Sequence, residues 1–264
     1  MDNLLEVQDL KVDFYNAQFG IINAVESVSF NVKDKETICL VGESGSGKTI
    51  TALSITKVLP QNAKIISGVV NFQGKDLLKL DEKSLAMIRG KEISYIFQEP
   101  SSYLNPVFTI GSQIVEAIML HQNKTKKQAE AEAQELLNLV KIKDPKKVLS
   151  DYPHQLSGGM NQRAFIAMAL GSKPRILIAD EPTTSLDVTI QAQILDLLME
   201  LKKEMGFSMI FITHNLSIAR RIADRVYVMY KGKIVEQADK QGLFNSPKHF
   251  HTRELIKAYK KIYL

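Results

Sequence analysis

Residues 42–49 read GESGSGKT, a match to G-x-x-x-x-G-K-[ST]. They stand between an apolar run, Thr37–Val41, and a stretch of helical character that starts at Lys48 and must end before Pro60. A strand, a glycine-rich turn and a helix in immediate succession constrain this chain more than any other feature. The glycines let the backbone of Gly42, Glu43, Ser44, Gly45, Ser46 and Gly47 wrap so that successive N–H groups converge on a phosphate, and the helix N-terminus adds positive potential. Lys48 is expected to hold the terminal phosphates of a nucleotide and Thr49 to ligate Mg²⁺.

The rest of the chain supplies the alternation that such a loop requires. Residues 4–15 alternate in the strand manner, and Val28, Phe30 and Val32 share one face of a following strand, so an antiparallel hairpin opens the protein. A strand over 69–78 turns at Gly74, and a short buried strand over 93–97 ends at Gln98. From 100 to 155 the pattern is helical, with KKQAEAEAQELLNLV at its centre. Helix 159–170, strand 175–179, helix 188–205 and strand 208–213 then follow, and Ile190, Ile194, Leu197 and Leu201 fall on one helical face that packs on a sheet. A late hairpin turns at Lys231 and Gly232, and the tail from Gly242 reads as helical. The expected fold is α/β: a P-loop NTPase core with a mixed, mainly parallel sheet, an N-terminal antiparallel β subdomain and an inserted α-helical lobe. The core is expected over 1–98 and 157–245, the lobe over 99–156 and a C-terminal tail over 246–264.

Composition excludes several classes. With 45% hydrophobic and 24% charged residues in 264, disordered and fibrous chains drop out. No run of about 18 apolar residues occurs, and the start MDNLLEVQDLKVDF lacks a secretory signal, so the chain is expected in the cytoplasm. Cys39 is the single cysteine and reads as a small buried hydrophobe in its strand. The net charge of +5 is spread among nearly as many acids and lacks a basic arm, so nucleic acid is not an expected partner.

Two further motifs carry chemistry. The apolar strand RILIA ends in Asp180 and Glu181, and in an open α/β sheet ligands sit at the carboxyl ends of strands. Asp180 is expected in a Mg²⁺ shell and Glu181 to polarise an attacking water; the alternative role for two such acids is to cap the following helix. Leu156-Ser157-Gly158-Gly159 opens a helix, giving a second anion-seeking end.

The phosphate loop, Gln98, residues 156–159, Asp180-Glu181, Ser185-Leu186-Asp187 and His214 stand in the order and spacing of the ATP-binding cassette (ABC) family, and the resemblance covers nearly the whole chain. The resemblance implies ATP as substrate and Mg²⁺ as cofactor. It also implies a head-to-tail pair of cassettes in which each ATP lies on one chain's phosphate loop and is closed by Ser157, Gly158 and Gly159 of the other. Gln98 resembles the glutamine that joins the Mg²⁺ shell, Asp187 the aspartate that communicates between the two sites, and His214 the histidine that contacts the γ-phosphate. An aromatic near the end of the first strand would stack on adenine, and Phe14 and Tyr15 both qualify.

The wording is similar to ATPase subunits of bacterial peptide and nickel importers: FQEP followed by Leu104-Asn105-Pro106, then Tyr152-Pro153-His154-Gln155 before the glycine pair, with Ile50 and Met160 as that branch has them. Ser246 to Arg253 resembles the branch's C-terminal motif. Its two histidines, His249 and His251, read as a helix start, and the absence of a cysteine-rich extension before Leu264 points to a short version. The resemblance implies a peripheral ATPase at the cytoplasmic face of the cell membrane. Its partners would be a second ATPase subunit (a copy or a related chain), membrane permease subunits and, indirectly, an extracytoplasmic substrate-binding protein. Tyr103 and Leu104 are expected to line the groove that receives a permease helix. The alternative is a soluble ABC ATPase of DNA repair or translation, disfavoured because this chain has neither the inserted coiled coil and zinc cysteines of the first nor the second cassette of the other. Cargo is chosen by other subunits, so peptide and metal chelate both stay open.

Overall fold

The computed structural model describes every residue except Met1, Asp2, Ala17, Phe19, Ser185 and Leu264. In chain order its elements begin with β1 (Asn3–Asn16), β2 (Gly20–Lys33), β3 (Thr37–Val41), α1 (Lys48–Ile55), β4 (Ala63–Phe72), β5 (Lys75–Asp76), α2 (Glu82–Ala86) and β6 (Ile93–Ile96). Next are α3 (Ile110–His121), α4 (Lys126–Leu139), α5 (Pro145–Ser150), α6 (Gly158–Leu170), β7 (Ile176–Asp180) and α7 (Val188–Met205). The chain closes with β8 (Ser208–Thr213), α8 (Leu216–Ile222), β9 (Arg225–Tyr230), β10 (Lys233–Asp239), α9 (Lys240–Asn245) and α10 (Phe250–Tyr263). Packing groups them into two compact units, 1–85 with 208–264, and 86–207.

In the first unit β1 lies between β2 and β4, antiparallel to both, and β5 extends the sheet beside β4. Alternation buries Val28, Phe30 and Val32 of β2 as the sequence predicts. The pairing slips between Val7 and Leu10 of β1, where Asp9 takes a φ of 46° and its carboxylate accepts from the Ser27 hydroxyl at 2.8 Å. That bulge keeps Leu5, Val7 and Leu10 all on the buried side despite their uneven spacing. The unit's second sheet has β3 between β8 and β9, parallel to each, with β10 antiparallel to β9. All five residues of β3 and all six of β8 are buried, which is why these runs are continuously apolar rather than alternating. Cys39 is fully buried there, and burial pushes its thiol well above the ordinary range, so it is an inert core residue.

An ion pair ties this sheet together. The Arg225 guanidinium donates to both carboxylate oxygens of Glu36, at 2.6 and 2.9 Å, and also to Asn31 and the Tyr227 hydroxyl. Burial alone would raise the Glu36 carboxyl, but the hydrogen bonds from Arg225 and from the Lys33 N–H outweigh it and hold it below its ordinary value. A depressed carboxylate stabilises the fold above its unfolded-state value and loses that contribution as pH falls through the folded one. With side chains 17% and 10% exposed, removing one partner strands the other charge. Glu36→Ala is expected to cost about 3 kcal/mol, read as a lower urea midpoint at neutral pH, with the gap to the parent narrowing in acid. An unchanged midpoint would deny the pair this role.

In the second unit β6 and β7 run parallel, and all five residues of β7 are buried. Helices α3, α4 and α5 occupy the stretch read as helical. Each starts on a side-chain cap, Thr109, Thr125 and Asp144 respectively, and Thr125 with Gln128 forms a capping box. On α7, Ile194, Leu197 and Leu201 are buried, and the helix ends at Gly206 in the left-handed conformation. No helix among the described residues is long and apolar enough to cross a membrane.

Candidate functional site

The phosphate loop links β3 to α1. An added Cβ at Gly42 would lie 2.2 Å from the Met229 carbonyl oxygen, and one at Gly47, whose φ is 101°, would lie 2.5 Å from that of Ala24. Backbone is what blocks both positions, so only glycine fits, and the loop is thereby pressed between β2 and the end of β9. The Gly232 N–H, in the turn after β9, donates to Ser46 O at 3.0 Å and pins the loop from the other side. Lys48 is 5% exposed, and its ammonium donates to the carbonyls of Gly42 at 2.9 Å and Glu43 at 2.8 Å and to the Ser46 hydroxyl at 3.4 Å. The cation is thus curled under the loop crest, while Glu43, Ser44, Gly45 and Thr49 are exposed above it. Gly47 is the N-cap of α1 and offers no side chain to the first-turn N–H groups, which leaves them directed at whatever the loop holds. This cradle suits a phosphate chain: N–H donors, an ammonium and close backbone approach.

Val41 and Thr213 are register partners in adjacent parallel strands, so Gly42 and His214 leave neighbouring carboxyl ends of the sheet. His214 is exposed, and the turn behind it is fixed by Asn215 N–H donating to the Thr213 hydroxyl at 2.9 Å. Phe14 and Tyr15 lie in the last turn of pairing between β1 and β2; Phe14 is half-buried, whereas Tyr15 is 46% exposed.

The second unit carries the remaining motifs. Asp180, 7% exposed, ends β7, and Glu181 follows with a φ of 44°, a left-handed conformation costly for a side-chain-bearing residue. The Thr184 hydroxyl donates to a Glu181 oxygen at 2.8 Å. The next helix, α7, is capped by Asp187, whose carboxylate accepts from Ile190 N–H at 2.9 Å. Helix capping therefore falls to Asp187, which removes the bland explanation for the acid pair at the strand end. Ser157 caps α6 by accepting from Met160 N–H at 3.3 Å, with Ser157 and Gly158 exposed. A Cβ on Gly159 would come within 3.1 Å of Ile190, so the glycine turn packs closely on the start of α7. Gln98 is exposed just beyond β6, and Ser185 lies outside the described residues.

An aromatic cavity in the same unit went unread in the sequence. Tyr95 stacks on Phe97 (centroids 5.4 Å), Phe97 on Tyr103 (4.4 Å) and Tyr103 on Phe165 (6.1 Å), lining a cavity of about 350 Å³ with His121 and Met168. Burial, with the charge of Lys91 behind it, pulls the His121 imidazole below its ordinary range. Of the two residues expected to line a docking groove, Tyr103 is 51% exposed, whereas Leu104 is 2% exposed and belongs to the core. The Tyr95 and Phe97 spacing, two aromatics on one face of a strand, was the available signal.

Strand, phosphate loop and helix, with acids at one strand end and a histidine at another, define a nucleotide-hydrolysing cassette, and the chain belongs to the ABC transporter family. The family's model matches residues 25–184. The chain is 50% identical over 256 residues to the probable peptide ABC transporter ATP-binding protein y4tR of Sinorhizobium fredii, covering 97% of this chain and 76% of that one. It is 52% identical to the peptidoglycan transport ATP-binding protein YejF of Agrobacterium fabrum, covering 98% of this chain but 47% of that one, so it spans about half of that relative's length. Its fold is similar to the dimeric post-hydrolysis state of the ATP-binding cassette MJ0796 bound to ADP and Pi, with a TM-score of 0.79 and 26% identity over 93% of this chain and 100% of that one.

Proposed function

We propose that this chain is the ATP-hydrolysing subunit of an importer whose cargo is a peptide or a peptide-like compound, with nickel or another metal chelate as the rival cargo. The observation that carries this reading is the 50% identity, along 97% of the chain, to a probable peptide transporter's ATP-binding protein. The relatives reported above are transport ATP-binding proteins, which supports this reading over DNA repair or translation.

In this reading Lys48 and the N–H groups of residues 42–49 hold the phosphates, and Tyr15, the more exposed of the two aromatics, stacks on adenine. Glu181 accepts a proton from the attacking water, its carboxylate oriented by Thr184. His214 contacts the γ-phosphate, and Asp187 links one site to the other. Thr49, Gln98 and Asp180 offer hydroxyl, amide and carboxylate oxygens, a hard donor set suited to Mg²⁺. The ion, when bound, supplies charge neutralisation at the phosphoryl oxygens. Ser157, Gly158 and Gly159 close the site of a second ATPase subunit, and residues 99–156 form the lobe that carries the permease-docking surface, placing the chain at the cytoplasmic face of the membrane.

The exposed ring of Tyr103 and the aromatic cavity beside it are the docking surface, since exposed aromatics around a cavity gain most from burial by a partner helix. A photo-crosslinking residue at position 103 is expected to capture an integral-membrane protein in cells. Adducts confined to soluble proteins would count against a transporter subunit.

A further inference from the structure

The C-terminal helix α10 carries two unlike faces. Its inner side is held firmly: Thr252 and Ile256 are 1% and 2% exposed, the Tyr259 ring meets Phe244 edge-on at 5.6 Å, and the Tyr259 hydroxyl accepts from Arg220 at 3.3 Å. At its start the Glu236 carboxylate accepts the N–H groups of Lys248 at 2.8 Å and His249 at 2.9 Å, and His251 stacks on Tyr230 at 4.0 Å. His249 Nδ1 in turn accepts from His251 N–H at 3.2 Å, so both histidines organise the start of the helix. The rotation of α10 about its axis is thereby set.

That rotation fixes what faces outward. At about 100° per residue, Phe250, Arg253, Lys257, Lys260 and Lys261 fall within an arc of roughly 100°, and all five are exposed. Glu254 lies at one edge of the arc and is its single acid. A shallow groove of about 450 Å³ runs along this face, lined by the four cations with Pro247 and Ile256. Among the described residues none of the four cations is engaged in an ion pair. Phe250, 67% exposed, stands in the same arc one turn from Arg253.

We propose that this face of α10 is a binding surface for anionic phospholipid headgroups, by which the chain contacts a membrane directly and without a permease. Four cations on one rigid face match a plane of phosphates, and an exposed aromatic ring among them fits the headgroup boundary better than it fits water. A nucleic acid would also attract the lysines, but the surface offers a single ring and one helix face, with no run of aromatics for stacking bases.

The test uses the full chain and two kinds of vesicle, phosphatidylcholine alone and phosphatidylcholine with about one-third phosphatidylglycerol. Sedimentation is expected to bring the chain down with the anionic vesicles only, and less so as salt rises. Lys257→Gln combined with Lys260→Gln and Lys261→Gln is expected to lower partitioning roughly a hundredfold. Its ATP turnover in solution is expected to be unchanged, which shows that the chain is folded and keeps this test separate from that of the transporter reading. Equal binding to both vesicles, equal binding by the variant, or retention on a DNA oligonucleotide with none on anionic vesicles would each overturn the proposal.

Discussion

Glu181→Gln is expected to bind ATP with nearly parental affinity while losing turnover by about 10²- to 10⁴-fold. Glutamine keeps the size and one oxygen of glutamate but cannot accept the proton of an attacking water. The backbone should tolerate the exchange, because the left-handed φ of 44° is a property of the position and glutamine meets the same steric limits there as glutamate. Thr184 can still donate to the remaining side-chain oxygen. With binding preserved and hydrolysis blocked, two cassettes closed on ATP have no route apart, so the variant is expected to elute as a dimer from size exclusion in ATP and Mg²⁺ and as the parent does without them. Parental turnover in this variant would end the role given to Glu181.

The second expected result concerns sites shared between chains. Lys48→Ala removes an ammonium that makes contacts with three loop oxygens and is expected to weaken ATP binding roughly 10- to 100-fold. Ser157→Arg places a bulky cation at the exposed cap of α6 and blocks that surface without reaching the core. Each variant alone is expected to be nearly inactive. If Ser157 of one chain closes the nucleotide held by Lys48 of another, a mixture of the two variants contains dimers with one site intact on both sides and one site doubly defective. ATPase activity in the mixture is expected to exceed that of either variant, though coupling between sites holds it below the parental rate. Where the natural dimer pairs this chain with a related ATPase, the two changes are divided between the two proteins. A parental rate per chain that stays constant on dilution to monomers would contradict shared sites.

The local elements of this protein are legible in its sequence because their causes are local. The glycines and Lys48 of residues 42–49 announce a phosphate loop, and the uninterrupted apolar runs at Thr37–Val41 and Ser208–Thr213 announce buried parallel strands. The positions of Glu181 and His214 at strand ends follow from the same pattern, since an apolar run that stops at a polar residue marks where the strand leaves the sheet. The family was reached through the resemblance of that motif series, taken in order, to the ABC family rather than through any single element.

Other features depended on groups distant in sequence. Gly42 and Gly47 are obligatory because the carbonyls of Met229 and Ala24 approach them, contacts that residues some 20 and 190 positions away create only when the sheets have formed. The sequence placed Leu104 beside Tyr103 at a surface, and packing turned one into the core and left the other's ring in an aromatic stack. The cationic face of α10 was present as scattered lysines, but only the burial of Thr252 and Ile256, with the packing of Tyr259 on Phe244, set which way those lysines point. Sequence periodicity says which residues share a face; the partner that covers the opposite face decides where it looks.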